Sequence, residues 1–368
     1  MKRLHLLWNK PLGADMGLMT DPLILGPFIT HRGIKELVLA RNSTDGLYAI
    51  DADLGTLFWT RSLRQGGIGT ASHPSCPNQR VTPAMSTPPV AVKSKALDDD
   101  EEFSDGNRPI YVFATDATLY AIRPSNGEDV YLPLQLFPPC TNPSDLKVVD
   151  SVASVNSSTS CGKSFERRWT IKPDTDGRHL NASLLPDNTE TSGHEQSAST
   201  TFNWKGEQVV VTLTRDNRLL LRNASSDHLL CRSEISASGA VLGLATAENN
   251  SGKRYVYVAS SNSIAAYVVA AASRELRVEP IWQRIGLAPI GAPVVANGVV
   301  YALVAVKGMR PESTQLQAFN AQDGTTAYSS DPVPADRLRV TDLALANGHI
   351  VFGTGDGVLH CFGFPVDL

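Results

Sequence analysis

"LYAIDADLGTLFWTRSL", residues 47–63, reads as a strand, a turn and a second strand, and nearly the same message returns as "LYAIRPSNGEDVYLPL" at residues 119–134. Both copies place a Leu-Tyr-Ala-Ile run before a turn, a glycine (Gly55, Gly127) and then an aromatic residue four positions on (Trp59, Tyr131). Recurrence of this kind marks a repeat architecture, in which each copy is one supersecondary unit. Aligning on the motif finds "LLLR" at 219–222, "IAAY" at 264–267, "LQAF" at 316–319 and "VLHC" at 358–361.

Each of these runs follows a second β-rich run: "ELVLA" from Glu36, "IYVFA" from Ile110, "VVVTL" from Val209, "YVYVA" from Tyr255, "VVYALV" from Val299 and "HIVFG" from His349. Between them stand Thr44-Asp45-Gly46, Asp216-Asn217 or Asp356-Gly357, residue types that tolerate the positive φ of a tight hairpin. A further strand precedes the hairpin ("STPPVAV" from Ser86, "GAPVVA" from Gly291, "TDLALA" from Thr341). A fourth follows it ("GTLFW" from Gly55, "GEDVY" from Gly127, "DHLLC" from Asp227, "GTTAY" from Gly324, and a longer run ending at Trp282). Four short antiparallel strands, repeated, are the blades of a β-propeller, so the fold class is all-β. In this reading the glycine turns the chain into the outermost strand, and the aromatic packs between neighbouring blades.

The last repeat stops at "FGFPVDL" after its third strand, while the chain opens with "LHLLWNK", whose Trp8 matches Trp59. Residues near 4–10 are therefore expected to complete the final blade, leaving no strand edge open. Six repeats predict a single domain over residues 1–368 with six blades and insertions at about 93–108 and 136–197. Seven blades is the alternative, with a degenerate blade hidden in the Ser/Thr/Asn-rich second insertion.

The run "GLYAIDADLGTLFW" and its echoes at 118–131 and 316–328 resemble the repeat of the pyrroloquinoline-quinone-like propellers, the quinoprotein alcohol dehydrogenase-like superfamily. The resemblance implies the propeller fold over most of the chain. It implies two kinds of activity, quinone-dependent dehydrogenation or service as a cofactor-free scaffold. Many dehydrogenases of the family are eight-bladed and set a disulfide of adjacent cysteines against the quinone, with an acidic base near calcium. Here no two of the five cysteines are adjacent and no acidic residue matches that base, so no catalytic or cofactor-binding residue is carried over.

Composition narrows the partners. Thirty-three Lys+Arg against 37 Asp+Glu give a net charge of −4, without the basic block that nucleic acid requires, and no apolar run is long enough to span a bilayer. Cys76, Cys140, Cys161, Cys231 and Cys361 lack zinc or haem spacing; Cys231 and Cys361 sit in strand-like runs as core thiols, while Cys140 and Cys161 flank a polar stretch and could pair across it if the protein is exported. The run Asp98, Asp99, Asp100, Glu101, Glu102 offers oxygen ligands to calcium, but not at EF-hand spacing. "GTGDG" at 353–357 lies between two strands, so it reads as a hairpin turn and not as a phosphate loop. No metal site is assigned. Asn-x-Ser/Thr triplets occur at Asn42, Asn156, Asn181, Asn223 and Asn249, and Trp169, beside Arg167 and Arg168, is the candidate partner contact, with local packing as the alternative.

The expected function is thus a non-catalytic propeller that binds another protein through its loop face or the 136–197 segment, without cofactor. The alternative is an oxidoreductase using pyrroloquinoline quinone and calcium in the central funnel. Relatives of this type are mostly exported, so a periplasmic or extracellular location is expected, with a leader missing from this chain.

Overall fold

The computed structural model describes residues 4–364, apart from 13–18, 31, 64–88, 92–107, 138–140, 150–151, 160–166, 185–195, 215, 225, 227, 237, 250, 273–274, 307, 309–311 and 336–339. The described residues form twenty-nine strands and no helix. In chain order, β1 (His5–Pro11) precedes a sheet of β2 (Leu23–Thr30), β3 (Gly33–Arg41), β4 (Gly46–Asp51) and β5 (Leu57–Ser62). The second sheet holds β6 (Val90–Ala91), β7 (Ile110–Phe113), β8 (Thr118–Ile122) and β9 (Asp129–Gln135). The third holds β10 (Thr141–Val149), β11 (Val152–Thr159), β12 (Arg167–Pro173) and β13 (Leu180–Leu184). The fourth holds β14 (Gln196–Trp204), β15 (Glu207–Thr214), β16 (Arg218–Asn223) and β17 (Leu229–Glu234).

The fifth comprises β18 (Val241–Glu248), β19 (Arg254–Ser260), β20 (Ser263–Ala272) and β21 (Glu275–Ile285). The sixth comprises β22 (Val294–Ala296), β23 (Val299–Val306), β24 (Ser313–Asn320) and β25 (Thr326–Ser329), with β26 (Val333–Pro334) also paired to β24. The last adds β27 (Ala344–Ala346), β28 (His349–Gly353) and β29 (Val358–Gly363) to the first strand of the chain, in the order β1-β29-β28-β27. The chain divides into two compact units. One holds Leu6–Thr189 with Ala346–Leu368, the other Met1–His5 with Glu190–Leu345.

The motif's uniform apolarity follows from packing on both faces of each sheet. In the second sheet Ile110, Val112, Tyr120 and Ile122 join a cluster with Leu37, Leu39, Leu47 and Ala49 of the first. The alternate set, Tyr111, Phe113, Leu119 and Ala121, joins Leu146, Val148, Ala153, Val155 and Ile171 of the third. Period-two alternation sends Leu119 and Ala121 one way and Tyr120 and Ile122 the other, so every position of "LYAI" is buried. The same division operates in the other unit, where Val256, Val258, Ala265 and Tyr267 face the fourth sheet and Tyr257, Ala259, Ile264 and Ala266 the sixth. A fully buried apolar side chain of this size contributes about 1.5–3 kcal/mol, so each central strand is worth several times that.

The hairpins use the residues their dihedrals need. Asp45 (φ 63°) and Asn217 (φ 61°) turn between second and third strands, while Asn297-Gly298 and Asn347-Gly348, all four at positive φ, make two-residue turns between first and second strands.

Six readable repeats predict six sheets, and the described residues contain seven. The difference lies in the 136–197 segment, expected as an insertion, where Thr141–Leu184 form a four-stranded sheet of their own. Its strands are polar along much of their length, yet each presents one apolar row: Leu146 and Val148, Ala153 and Val155, Trp169 and Ile171, Leu180 and Ala182. A single row per strand suffices when neighbouring sheets supply the rest of the core. The segment at about 93–108 lies outside the described residues except for Arg108, as do Cys76, Cys140, Cys161 and the acidic run from Asp98.

Candidate functional site

The glycine and the aromatic of the motif meet, but not within one repeat. The indole of Trp8 on β1 lies against Gly55 of the first sheet, where an added Cβ would stand 2.7 Å from Trp8 Cγ. Trp59 lies against Gly127 of the second sheet in the same way (2.9 Å to Cε3), and Trp282 against Gly324 of the sixth (2.7 Å to Cδ2). Each indole also donates its Nε1–H to the carbonyl three residues before that glycine: Trp8 to Ala52 (2.7 Å), Trp59 to Pro124 (2.7 Å) and Trp282 to Ala321 (3.0 Å). The glycines have φ of +65°, +77° and +71° and accept their turns from Asp51, Arg123 and Asn320, whose carbonyls receive the glycine N–H at 2.9 Å. Glycine is therefore required twice over, by the left-handed backbone and by the ring pressed against it. The three tryptophans are half-buried in these seams.

Polar ties reinforce these seams. Arg41, fully buried, holds Asp45 Oδ1 at 3.1 Å, and Asp45 accepts hydrogen bonds from Thr115 N (2.8 Å) and Thr115 Oγ1 on the second sheet. Burial pushes the Arg41 guanidinium down from its ordinary value while the Asp45 carboxylate opposes the shift. Removing either partner would strand a buried charge, which typically costs about 3–5 kcal/mol. Arg61 reaches from β5 to the Gly127 carbonyl (2.8 Å) and to Asp129 (2.7 Å). His349 on β28 stands between Glu36 (3.2 Å) and Asp53 (3.1 Å) of the first sheet.

Two recesses occur in the unit that holds Glu190–Leu345. A groove of about 580 Å³ runs between β17 and β21, lined by Leu229–Ser233 and Leu276–Glu279. It opens where the docking tryptophan is missing: Cys231 pairs with Leu221 in the register that pairs Trp59 with Ala49 and Trp282 with Ala266. The second recess, about 410 Å³, is bordered by first strands of the sheets, with Leu244, Pro293, Val294 and Leu343 as apolar walls and Thr200, Thr246 and Asp342 as polar groups. Asp342 Oδ1 accepts the Ala292 N–H at 3.2 Å. Such a lining can hold an apolar group beside a carboxylate, and it brings no nucleophile and base together. Among the described residues no cluster of three or more His, Cys, Asp or Glu is placed to hold a metal.

Trp169, the candidate partner contact, instead packs edge-on to Phe137 at 5.6 Å within the core of the third sheet. "GTGDG" is a hairpin turn between β28 and β29, closed by Thr354 N to the Val358 carbonyl (2.9 Å). Cys231 is half-buried and Cys361 buried. Asn42, the first glycosylation triplet, is 5% exposed and accepts the Gly46 N–H at 2.8 Å, so its side chain is committed to a turn. The dock itself was half legible: sequence shows the glycine and the aromatic, but not that Trp8, Trp59 and Trp282 each serve the glycine of another sheet.

No protein-family model matches the chain, and no curated protein matches it either. Solved structures do. BBS1N, in complex with ARL6DN, is 12% identical with a TM-score of 0.55, covering 99% of this chain and 98% of that one. The Cps50 (Swd1) β-propeller domain of Myceliophteria thermophila is 9% identical with a TM-score of 0.52, covering 96% and 98%. The quinohemoprotein alcohol dehydrogenase ADHIIG from Pseudomonas putida HK5 is 11% identical with a TM-score of 0.52, covering 98% of this chain and 76% of that one. At these identities the likeness concerns fold alone, and the class it defines is the β-propellers. No helix among the described residues is long and apolar enough to cross a membrane.

Proposed function

We propose that this chain is a propeller of seven blades, closed by β1 as the fourth strand of the last, and that it serves without catalysis as a scaffold for another protein. The observation that carries the reading is the use made of the motif. Its aromatic and its glycine, the most distinctive residues of the repeat, are consumed in docking sheet to sheet at Gly55, Gly127 and Gly324, which is an investment in rigidity. The dock supports kinship with the pyrroloquinoline-quinone-like repeat. Similar folds engage proteins, as in BBS1N with ARL6DN.

The contact surface this reading favours is the hairpin between β2 and β3, where Ile29 and Ile34 pair across the strands and are 66% and 60% exposed. Export to a periplasmic or extracellular compartment is part of the proposal and rests on the family resemblance. Cross-linking in the native cells, followed by the same experiment with Ile29→Asp/Ile34→Asp, tests it: one protein cross-linked to the parent and lost from the variant supports the scaffold. Reduction of a dye by alcohol or sugar after addition of pyrroloquinoline quinone and calcium to purified protein would overturn it in favour of an oxidoreductase. Fractionation of the same cells checks the location, and a cytoplasmic pool would refute export.

A further inference from the structure

The recess of about 410 Å³ falls within the range of about 300–1,000 Å³ that small organic ligands occupy. Every residue lining it belongs to the unit that holds Glu190–Leu345. Its walls are apolar, built from Leu244 on β18, Pro293 and Val294 at β22, and Leu343 just ahead of β27. Among the described residues that line it, Asp342 is the one ionisable side chain. Thr200 on β14 and Thr246 on β18 are the other lining side chains able to hydrogen-bond.

The backbone makes room for this carboxylate and fixes it. An added Cβ at Gly291 would stand 2.2 Å from Asp342 Oδ1 and would displace it. With glycine there, the neighbouring Ala292 N–H donates to the same oxygen at 3.2 Å. Gly243 of β18 packs on Ala292 from the other side, where an added Cβ would stand 2.5 Å from the Ala292 Cβ. Two glycines thus let an amide and a carboxylate meet at the wall of an otherwise apolar recess. A carboxylate accepts about four hydrogen bonds over its two oxygens, so one amide does not exhaust it.

We propose that this recess binds an organic cation, an ammonium group on a short alkyl chain, with the charge against Asp342 and the chain against Leu244, Pro293, Val294 and Leu343. The lining selects by sign and by polarity. An anion would meet a carboxylate, and a bare metal ion would find too few ligands, since no cluster of three or more His, Cys, Asp or Glu is placed to hold one among the described residues. An ammonium supplies both the opposite charge and the N–H donors, and a hydrogen bond between charged partners is about twice as strong as a neutral one. Each methylene that the walls take out of water adds about fourfold in affinity. A free alkylamine carries such a group, and so does a lysine side chain of a partner protein. The site stands apart from the scaffold reading, and its failure leaves that reading intact.

Ligand-observed NMR titration of the whole chain tests it, with n-butylammonium, 1-butanol and butyrate as probes. The cation should bind about tenfold more tightly than the alcohol, the scale of one charge-assisted hydrogen bond, and butyrate should not bind. Shortening the cation by two methylenes, to ethylammonium, should cost more than about tenfold. In Asp342→Asn, whose amide oxygen can still accept the Ala292 N–H, the cation should fall to the level of the alcohol. In Thr246→Phe, which adds a ring to the lining, both should be lost. A Gly-Lys-Gly peptide blocked at both ends separates the sources: tighter binding than butylammonium assigns the site to a partner's lysine, weaker binding to a free amine. Equal affinity for butylammonium and butanol in the parent, a comparison that needs no variant, would overturn the proposal. So would no binding of the cation at about 100 mM, or an Asp342→Asn protein that holds it as tightly as the parent.

Discussion

Replacing Gly55 with alanine puts two separable costs on one atom. Its φ of +65° is left-handed, which an alanine adopts at a cost of about 1–2 kcal/mol. The new methyl would also stand 2.7 Å from Trp8 Cγ and 2.8 Å from Cδ2, so the indole must move. Moving it breaks the bond to the Ala52 carbonyl, worth about 1 kcal/mol. It also uncovers roughly 100 Å² of a half-buried ring, or about 2–3 kcal/mol. Gly177 supplies the control, since its φ is +66° and nothing lies within 4 Å of its missing methyl. Gly177→Ala should therefore lose only the backbone share, about 1–2 kcal/mol, and Gly55→Ala about 3 kcal/mol more. Urea unfolding of the two variants, with Trp8→Ala and the double variant to complete a cycle, measures the difference. If the two alanines cost the same to within about 0.5 kcal/mol, the dock carries no energy and the account of the motif is wrong.

The remaining predictions concern titration and reactivity. His360 on β29 is buried, and desolvation lowers it to about 4, with Asp356 opposing. A depressed imidazole in the folded state means that its contribution to stability is complete above the ordinary value near 6.5 and is lost as pH falls toward 4, at most about 3 kcal/mol. Unfolding at pH 7 and pH 4.5 should show that loss, and His360→Phe should flatten it; an unchanged slope would count against the burial of a neutral ring. In variants keeping a single cysteine, Cys231, half-buried at the groove, should react with a thiol reagent in minutes. Cys361, buried and raised to about 12, should react only on unfolding, and equal rates would refute the placement.

How far the fold could be read in advance depended on how much of each strand had to be apolar. "LYAI" is legible because both faces of its sheet are covered, so Leu119, Tyr120, Ala121 and Ile122 all register as hydrophobic. The sheet of Thr141–Leu184 is not, because its one apolar row alternates with polar residues such as Ser154 and Thr170, and its turn glycine, Gly177, bears no indole. Asn297-Gly298 and Asn347-Gly348 carry the positive φ that turns the first strand into the second in two sheets. The charged seam was beyond reach: Glu36, Asp53 and His349 are ordinary surface residues in sequence, and only the fold brings both carboxylates within 3.2 Å of the imidazole.

The pairing of β1 with β29 sets an order on synthesis. The strand containing Trp8 leaves the ribosome ahead of the seven sheets' other strands, and its partner Val358–Gly363 follows about 350 residues later. Gly55 arrives after fewer than about 50 residues, so the indole can find its glycine and the Ala52 carbonyl while the strand that bears it still has an unpaired backbone. Contacts so far apart in sequence make for slow folding, and an unpaired strand invites a wrong neighbour during the wait. Parking Trp8 on the first sheet keeps its strand beside its final position until Val358–Gly363 appears.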